Sequence, residues 1–325
     1  MFVLFLIMAR FRILSISCIC LFLLPVCGIA GQEYFKFLKA TTIQLADSNT
    51  AAAFLGSNDG YPELFSEFDL QSRLGKDKPY KPADYLAFAA KQTRNWNTEE
   101  RATIEEGFRT IEAFATAHQL HLVLPDTVLF IKSTCREEFE AAGYTRKHGI
   151  IIKAGEELSA GLIAHELFHV LSRHNPKLRD KLYENIGFKK CNVIDVRSAM
   201  SGLNITNPDC PVISHYVTVN GKDMTLVLHS KKVYEGGKIF EDDYINISLL
   251  ALKGDDAHKK PETNDGKTVL YSLEEKMELF SIVGMITPYV LHPEEICAEH
   301  FVSLVMEKEV EEPHFIDKMK TVLQQ

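Results

Sequence analysis

The stretch His165–Pro176, which reads HELFHVLSRHNP, constrains the fold of this chain more than any other. Two histidines lie four residues apart, and a glutamate follows the first of them. On a helix, residues four apart differ by only about 40° in direction and lie one above the other. His165 and His169 therefore present two imidazoles on one side of a helix, at a separation that a tetrahedral zinc ion can bridge.

Glu166 faces a neighbouring side of the same helix. From there its carboxylate can reach a zinc-activated water without reaching the metal itself. A general base needs this placement, because it must stay free to accept a proton from the water. We therefore predict that Glu166 is the catalytic residue.

The residues around this motif predict the helix that carries it. Apolar residues recur at intervals of three and four through residues 156–174, and Pro176 ends the pattern. The β-branched run Ile150–Ile152 predicts a strand that leads into this helix. Histidines satisfied by hydrogen bonds within a core are the alternative interpretation. Burying two histidines and a glutamate without partners, however, costs several kcal/mol.

A catalytic zinc site needs a third protein ligand. His174 is close in sequence, but on a continuing helix it points roughly 140° away from His169. The distant candidates are Glu295, which lies four residues before Glu299, and its neighbour Glu294. Acidic residues are also common at helix N-termini, so a purely structural role for these glutamates is the competing interpretation.

The segment His292–Phe301 resembles the second zinc motif of the gluzincins, in which a glutamate ligand is followed four residues later by a carboxylate that supports a ligand histidine. This resemblance implies that Glu295 is the third ligand and Glu299 the supporting carboxylate, although an aspartate is more usual at the second position. The third histidine of the metzincins is replaced here by Asn175, so their arrangement does not fit.

Together, Tyr144–Arg146, His165–Pro176 and His292–Phe301 resemble a group of exported bacterial zinc metallopeptidases of the zincin fold, over about residues 64–306. The resemblance implies an α+β, zincin-like fold with a mixed, mostly antiparallel sheet whose edge strand borders the cleft. It also implies an active-site helix and a second, ligand-bearing C-terminal helix. We expect one metallopeptidase domain at residues 31–325, with a mostly helical N-terminal part (31–140) and a catalytic part (141–325).

The N-terminus has the pattern of a secretory signal. Two arginines precede the apolar run Ile13–Val26, and Gly28–Ala30 supplies small residues for cleavage. We predict a signal peptide at residues 1–30, cleaved near Ala30, and a secreted or periplasmic protein. The run is short for a membrane span. Membrane attachment through an uncleaved anchor or a lipidated Cys27 remains the alternative.

Charge and cysteine content narrow the possible partners. The net charge is −8 and no basic run is present, which argues against nucleic acid. Four cysteines remain after cleavage and none forms a C-x-x-C pair, which argues against zinc held by cysteines. Cys191 and Cys210 bracket a loop-like stretch and are candidates for a disulfide.

Other patterns predict secondary structure away from the motif. We expect two helices within Pro82–Gln119, the second beginning near Thr98. A hairpin is expected at His215–Leu228, with its turn at Asn220 and Gly221. Two C-terminal helices are expected, as the pattern of apolar residues and prolines indicates. They are predicted at Leu273–Thr287 and at about Glu294–Val310.

These observations predict an exported zinc metallopeptidase acting on a peptide or protein substrate. One Zn²⁺ per chain would be held by His165, His169 and Glu295, with Glu166 as general base. The alternative is a catalytically silent, zincin-like binding or inhibitory module at the cell envelope, which would have no need of the glutamate base. No oxyanion-stabilising residue is assigned. The candidates are Tyr216, Tyr234, Tyr271, Tyr289 and His292.

Overall fold

Six strands from the first half of the chain form a mixed sheet. A computed structural model describes residues 33–287 and 290–325. The strands are β1 (Tyr34–Phe37), β2 (Thr41–Leu45), β3 (Thr93–Arg94), β4 (Thr127–Ser133), β5 (Gly143–Arg146) and β6 (Gly149–Lys153). They are ordered β1-β2-β4-β6-β5, and β3 pairs with β4. Strands β2, β4 and β6 run parallel, whereas β1 and β5 are antiparallel edge strands.

The central strand β4 is buried on both faces. Val128 and Phe130 belong to one core, and Leu129 and Ile131 belong to the core on the opposite face. Parallel strands covered on both sides read as continuous apolar runs rather than as alternating ones. This burial explains why the sequence around Thr127–Ser133 shows no polar alternation.

Helices cover both faces of this sheet. The helices are α1 (Ser48–Leu55), α2 (Glu67–Leu74), α3 (Pro82–Ala89), α4 (Thr98–Ala117), α5 (Ala160–His174), α6 (Pro176–Asn185), α7 (Val196–Ala199), α8 (Glu278–Val283), α9 (Pro293–Val305) and α10 (Pro313–Leu323). Helix α1 contributes Leu55 and helix α3 contributes Tyr85 to the core on one face, and α4, α5 and α9 build the core on the other.

The second half of the chain forms an antiparallel sheet. Its strands are β7 (Phe188–Lys190), β8 (His215–Val219), β9 (Lys222–Ser230), β10 (Ile245–Lys253), β11 (Lys260–Pro261) and β14 (Leu270–Ser272). The order is β11-β10-β9-β8-β7, and β14 also pairs with β10. A separate ribbon joins β12 (Thr263–Asn264) to β13 (Lys267–Thr268). The predicted hairpin is confirmed, since Asn220 and Gly221 adopt φ values of 50° and 71° between β8 and β9.

The architecture is α+β, which confirms the coarser part of the expected fold class. The described residues, 33–287 and 290–325, belong to one structural unit. Strands from both the predicted N-terminal part and the predicted catalytic part lie side by side in the first sheet. The two helices predicted within Pro82–Gln119 are confirmed as α3 and α4, and Asn97 caps the second of them through a hydrogen bond from Glu100 N–H.

The helix that carries His165 and His169 is shorter than the sequence pattern predicts. It begins at Ala160, not at residue 156, because the Ser159 hydroxyl accepts the hydrogen bond of Leu162 N–H at 3.1 Å and caps the helix there. The apolar spacing continues through Leu158 although the backbone is not yet helical. Periodicity alone therefore located the helix but not its first residue.

Both predicted C-terminal helices also end early. Helix α9 stops at Val305 rather than near Val310, because Glu307 adopts a left-handed φ of 49° and Lys308 N–H donates to Ser303 O at 3.0 Å. Within the predicted helix Leu273–Thr287, α8 covers only Glu278–Val283. A 3₁₀ turn at Glu274–Lys276 precedes it, and Gly284, with φ 81°, ends it.

Three sequence expectations concern the N-terminus and the cysteines. The predicted signal peptide lies outside the described residues. Within residues 33–287 and 290–325, no helix combines the length and apolar character that crossing a membrane requires. Cys191 and Cys210 are not bonded to each other, and Cys135 and Cys297 are also free thiols.

A buried ion network ties helix α2 to a distant segment. Arg73 pairs with Asp69 at 2.6 Å and with Glu138 at 2.8 Å, and all three side chains are almost completely buried. Asp69 Oδ1 accepts from Thr206 N–H at 2.9 Å, and Arg73 donates to Thr206 O at 2.9 Å. Ser66 also donates to Asn204 O at 2.8 Å. The network therefore fixes residues 204–206 against α2.

Replacing Arg73 by methionine is expected to destabilise the protein strongly. The change keeps most of the aliphatic stem but leaves the Asp69 and Glu138 carboxylates buried without their cation. Breaking a buried pair in this way lowers the free energy of unfolding by about 3–5 kcal/mol. Urea denaturation of Arg73→Met beside wild type measures the change.

Arg109→Met is the matched control. Arg109 pairs with Glu105 and Glu106 on the surface of α4, where ion pairs contribute little. We expect its urea midpoint to stay close to that of wild type. Equal midpoints for Arg73→Met and Arg109→Met would show that the buried network does not stabilise the fold.

Candidate metal centre

The candidate site lies where α5 packs against α9. The two helices meet through apolar side chains, among them Phe168 and Phe301, whose ring centroids are 5.7 Å apart. His292 caps α9, since its Nδ1 accepts from Glu294 N–H at 3.1 Å, and Pro293 occupies the first helical position. The predicted ligands of both helices therefore face each other across a largely apolar contact.

One carboxylate oxygen lies beside both histidines of the motif. Glu295 Oε2 is 3.2 Å from His165 Nε2 and 3.6 Å from His169 Nε2. Two ligand atoms of a tetrahedral zinc are roughly 3.3 Å apart, because each is about 2.0–2.1 Å from the ion. Both distances to the carboxylate oxygen are therefore close to this spacing, and ligand atoms of the three residues all lie within 4.8 Å of one another.

The other nitrogen of each imidazole is held by a different glutamate. His165 Nδ1 lies 2.9 Å from Glu299 Oε1, and His169 Nδ1 lies 3.0 Å from Glu294 Oε1. A carboxylate only accepts, so each Nδ1 donates. In a neutral ring this leaves the Nε2 lone pair pointing at Glu295. Glu299 thus has the supporting position that the resemblance implied, and Glu294 supports a histidine rather than joining the ligand set.

Further hydrogen bonds fix these glutamates. Glu294 Oε2 accepts from Ser172 Oγ at 2.7 Å and from the Tyr183 hydroxyl. Glu295 Oε1 accepts from Asn207 Nδ2 at 2.7 Å, which leaves Oε2 directed at the histidines. Each carboxylate is therefore oriented by a partner outside the histidine pair, as outer partners orient metal ligands.

The electrostatics of the cluster favour a cation. Burial lowers the pKa of His169, but the Asp209 and Glu295 carboxylates outweigh burial and raise the pKa to about 9. Burial lowers the pKa of His165 as well, but the hydrogen bonds that the protonated ring donates to Glu295 and Glu299 outweigh burial and raise this pKa well above its usual value. Burial also raises the pKa of Glu295, and the histidines outweigh it and hold that pKa at about 2.

The surroundings of His169 Nε2 favour a metal ion over a proton on this atom. Its side chain is fully buried, and its Nε2 has no hydrogen-bond partner among the described residues. A proton on that atom would be a buried donor without an acceptor, which is unfavourable. A cation between His169 Nε2, His165 Nε2 and Glu295 Oε2 satisfies all three atoms. The residues present therefore fit a zinc ion.

Glu166 lies beside the cluster but outside this ligand set. It is 97% buried, and its Oε2 has no hydrogen-bond partner among the described residues. Burial, followed by the nearby Asp209 carboxylate, raises the pKa of Glu166 to about 8. A Cβ added to Gly143 would lie 2.5 Å from Glu166 Oε1. Edge strand β5 therefore leaves room for this carboxylate only because residue 143 is glycine.

The structure brings together every residue predicted for the site. His165, His169, Glu295 and Glu166 lie within one small volume, whereas His174 is exposed at the end of α5.

The residues considered for stabilising an oxyanion have other partners or lie outside the described residues. Hydrogen bonds engage Tyr216 with Asp256, Tyr234 with Gly237 O and Tyr271 with Lys222, His292 caps α9, and Tyr289 lies outside the described residues.

Sequence reasoning missed Asn207 and Asp209. Both lie in the irregular segment between α7 and β8, which shows no periodicity and no motif spacing. Asp209 Oδ1 accepts from the backbone N–H of Thr145 at 2.6 Å and from its hydroxyl at 2.7 Å. Turn-forming residues such as Asn207-Pro208-Asp209 indicate a loop, but no signal in the sequence places that loop over the histidines.

A groove of about 530 Å³ opens next to the cluster. Asn207, which holds Glu295, forms part of its wall, as does His292 at the start of α9. Much of the remaining wall is apolar, including the exposed side chains of Val193 and Val212. The site therefore adjoins a surface that can hold apolar parts of a larger molecule.

Comparison with protein-family models, with curated proteins and with solved structures finds no match to this chain. The chemistry of the site is therefore inferred from its residues and geometry.

The cluster predicts one zinc ion per chain that depends on Glu295. In Glu295→Ala the third ligand is lost, so we expect stoichiometric zinc to disappear after excess metal is removed. Glu294→Gln keeps the three ligands but weakens the hydrogen bond to His169, and we expect an affinity about 10–100-fold lower. Competition with a chromogenic chelator measures both.

Glu309→Ala serves as the control, because Glu309 is exposed just beyond α9. It should bind zinc like wild type. A wild-type protein that takes up no zinc, or a Glu295→Ala variant that retains it at full affinity, would contradict the assigned ligand set.

Proposed function

We propose that this protein is an exported zinc metallopeptidase with a zincin-like, gluzincin-type site. The observation that carries the proposal is the placement of His165 Nε2, His169 Nε2 and Glu295 Oε2 around one point, with the Glu166 carboxylate beside them and outside the set. Three protein ligands with an adjacent free carboxylate are typical of catalytic rather than structural zinc sites.

In this proposal His165, His169 and Glu295 hold the metal. Zinc bound there would supply Lewis acidity, which activates water for attack on a carbonyl carbon. Glu299 and Glu294 keep the two Nδ1 atoms protonated, so both Nε2 lone pairs remain available. Asn207 holds the remaining oxygen of the Glu295 carboxylate.

Glu166 is the proposed general base. Its buried carboxylate accepts the proton of the attacking water and then delivers that proton to the leaving amine nitrogen. A raised pKa suits a group that must both take up and release a proton near neutral pH. The packing of Glu166 against Gly143 holds it beside β5 without a hydrogen bond to Oε2.

The surrounding fold supports a peptide substrate. Strand β5 is the antiparallel edge of the first sheet and adjoins Glu166. The outward-facing backbone of an edge strand can pair with an extended peptide, which would place a peptide bond near the base. In this proposal, β5 is the edge strand beside the cleft, α5 is the active-site helix and α9 is the second ligand-bearing helix that the zincin resemblance implies.

A catalytically silent binding module is the competing function. Such a module would need the metal or the fold. It would not need the buried Glu166 carboxylate, whose Oε2 has no hydrogen-bond partner within the part of the chain that the structure describes. Burying Glu166 in this way destabilises the folded protein, and a hydrolase gains catalysis from it. The state of Glu166 therefore favours the peptidase.

Glu166→Gln is expected to abolish most hydrolysis while leaving zinc in place. Glutamine has the same shape but cannot act as a base, so kcat/KM should fall by about 10²–10⁴-fold. Mass spectrometry of a peptide library incubated with the purified protein identifies cleavage, and metal analysis reports zinc. Glu157→Gln, an exposed residue before α5, is the control. Unchanged cleavage by Glu166→Gln would exclude the proposed base.

Gly143→Ala tests the placement of Glu166 by β5. The added methyl group would meet a flexible carboxylate, so the carboxylate should shift and the fold should persist. A displacement near 1 Å can lower a rate by about 100-fold, and we expect a fall in kcat of at least about tenfold with normal zinc content.

Gly161→Ala is the matched control on α5, because its new Cβ would lie 3.7 Å from Val302, an ordinary contact. It should retain wild-type turnover. Equal turnover in both alanine variants would mean that contact with β5 does not position the base.

A further inference from the structure

A second group of ligand atoms overlaps the proposed metal centre. Atoms of Glu166, His169 and Asp209 lie within 4.8 Å of one another. Within these residues, His169 Nε2 and Glu166 Oε2 are buried and have no hydrogen-bond partner among the described residues. Leaving them so is unfavourable unless a ligand satisfies them. After Glu166 and Glu295, Asp209 is therefore the third carboxylate close to His169.

Several contacts hold Asp209 in that space. Its Oδ1 accepts two hydrogen bonds from Thr145, which is on edge strand β5. Arg173, in the last turn of α5, donates to the Asp209 carbonyl at 3.0 Å and to the Pro208 carbonyl at 3.3 Å. The hydrogen bonds to Thr145 engage one carboxylate oxygen, and the second oxygen of a carboxylate can bind a cation.

The position of Asp209 conflicts with an open catalytic site in two ways. Thr145 lies opposite Ile150 in the β5–β6 hairpin, and its N–H points away from β6 to Asp209. That N–H is the group to which an extended substrate would pair. The carboxylate also stands next to Glu166, where the attacking water must be. Substrate and Asp209 therefore compete for the same space.

The proximity of Asp209 to Glu166 and His169 also has an electrostatic consequence. The charge of a buried Asp209 carboxylate is unfavourable unless it is paired, and a cation held by His169 would pair with it.

We propose that Asp209 is an internal ligand of the metal centre, which closes the position that water and substrate need, and that hydrolysis requires Asp209 to leave it. This inference rests on the proposed function. In the structure described, Asp209 groups with His169 and Glu166 rather than with the full set of His165, His169 and Glu295. Its carboxylate would therefore have to turn toward the metal to become a fourth protein ligand. A zinc site with four protein ligands is closed, whereas catalysis needs an open position, so the protein with Asp209 bound to the metal would be latent.

Asp209→Asn tests the proposal with little disturbance of the loop. Asparagine keeps an oxygen that can accept from Thr145, but it loses the charge that makes a carboxylate a good zinc ligand. We expect zinc affinity to fall at least about tenfold, as it does when groups of a metal site are removed. Turnover of a peptide library should rise about 10–1000-fold, if the open state of wild type is populated at about 0.1–10%.

The measurements are zinc competition with a chelator, the visible spectrum of the protein loaded with Co²⁺ alone, and peptide cleavage at saturating zinc. The spectrum should differ between wild type and Asp209→Asn, because the set of atoms on the metal changes. Asp209→Ala is a second variant, and Asp317→Asn, an exposed residue on α10, is the control. Thermal melting shows whether each variant is folded.

Unchanged zinc affinity and an unchanged Co²⁺ spectrum in Asp209→Asn would overturn the ligand assignment, even with a wild type that binds zinc and cleaves peptides. Weaker zinc binding without a rise in turnover would overturn the latency. If wild type bound no zinc, the proposed function would fail and this inference with it. Weaker zinc binding together with faster turnover is the result that supports the proposal.

Discussion

The arrangement of the site depends on one contact between α5 and α9, in which the buried Glu295 carboxylate lies beside the imidazoles of His165 and His169. Glu295 approaches both Nε2 atoms inside a contact that is otherwise built by apolar side chains such as Phe168 and Phe301. Ionised groups are stable in such surroundings only when they are paired and hydrogen-bonded. The outer hydrogen bonds of the cluster, including the one that Asn207 donates to Glu295, meet this requirement.

The roles of the acidic residues on α9 follow from helix geometry. Glu294 and Glu295 are adjacent, so their side chains diverge by about 100°, and one reaches His169 Nδ1 while the other faces both Nε2 atoms. Glu299 lies one turn beyond Glu295 on the same side and reaches His165 Nδ1. Fewer than two turns of helix thus provide the proposed ligand and both groups that orient the histidines.

The sequence predicted the parts of the site that repeat with a helical period. His165 and His169, and likewise Glu295 and Glu299, are four residues apart, so spacing alone placed each pair on one helix face. The choice between Glu294 and Glu295 stayed open, because it depends on how α9 is rotated against α5, and that rotation is set by packing. The helix ends were misplaced because capping by Ser159 and the left-handed turn at Glu307 do not interrupt the apolar pattern.

The segment at residues 204–209 was out of reach of any local pattern, since its position is set by partners far away in sequence. Asp69 and Arg73 hold Thr206 from α2, and the rigid stretch that results delivers Asn207 to Glu295. Asp209 lies beyond these anchors and is held by Thr145 and Arg173 instead. The Asp209 N–H also donates to Asn207 Oδ1 at 2.9 Å, so the two sets of contacts meet at the side chain that holds Glu295. In the proposed open state, only the Asp209 carboxylate turns away from the histidines, while its N–H still holds Asn207. A site in which one carboxylate can turn away without disturbing the ligands is suited to switching between a closed and an open state.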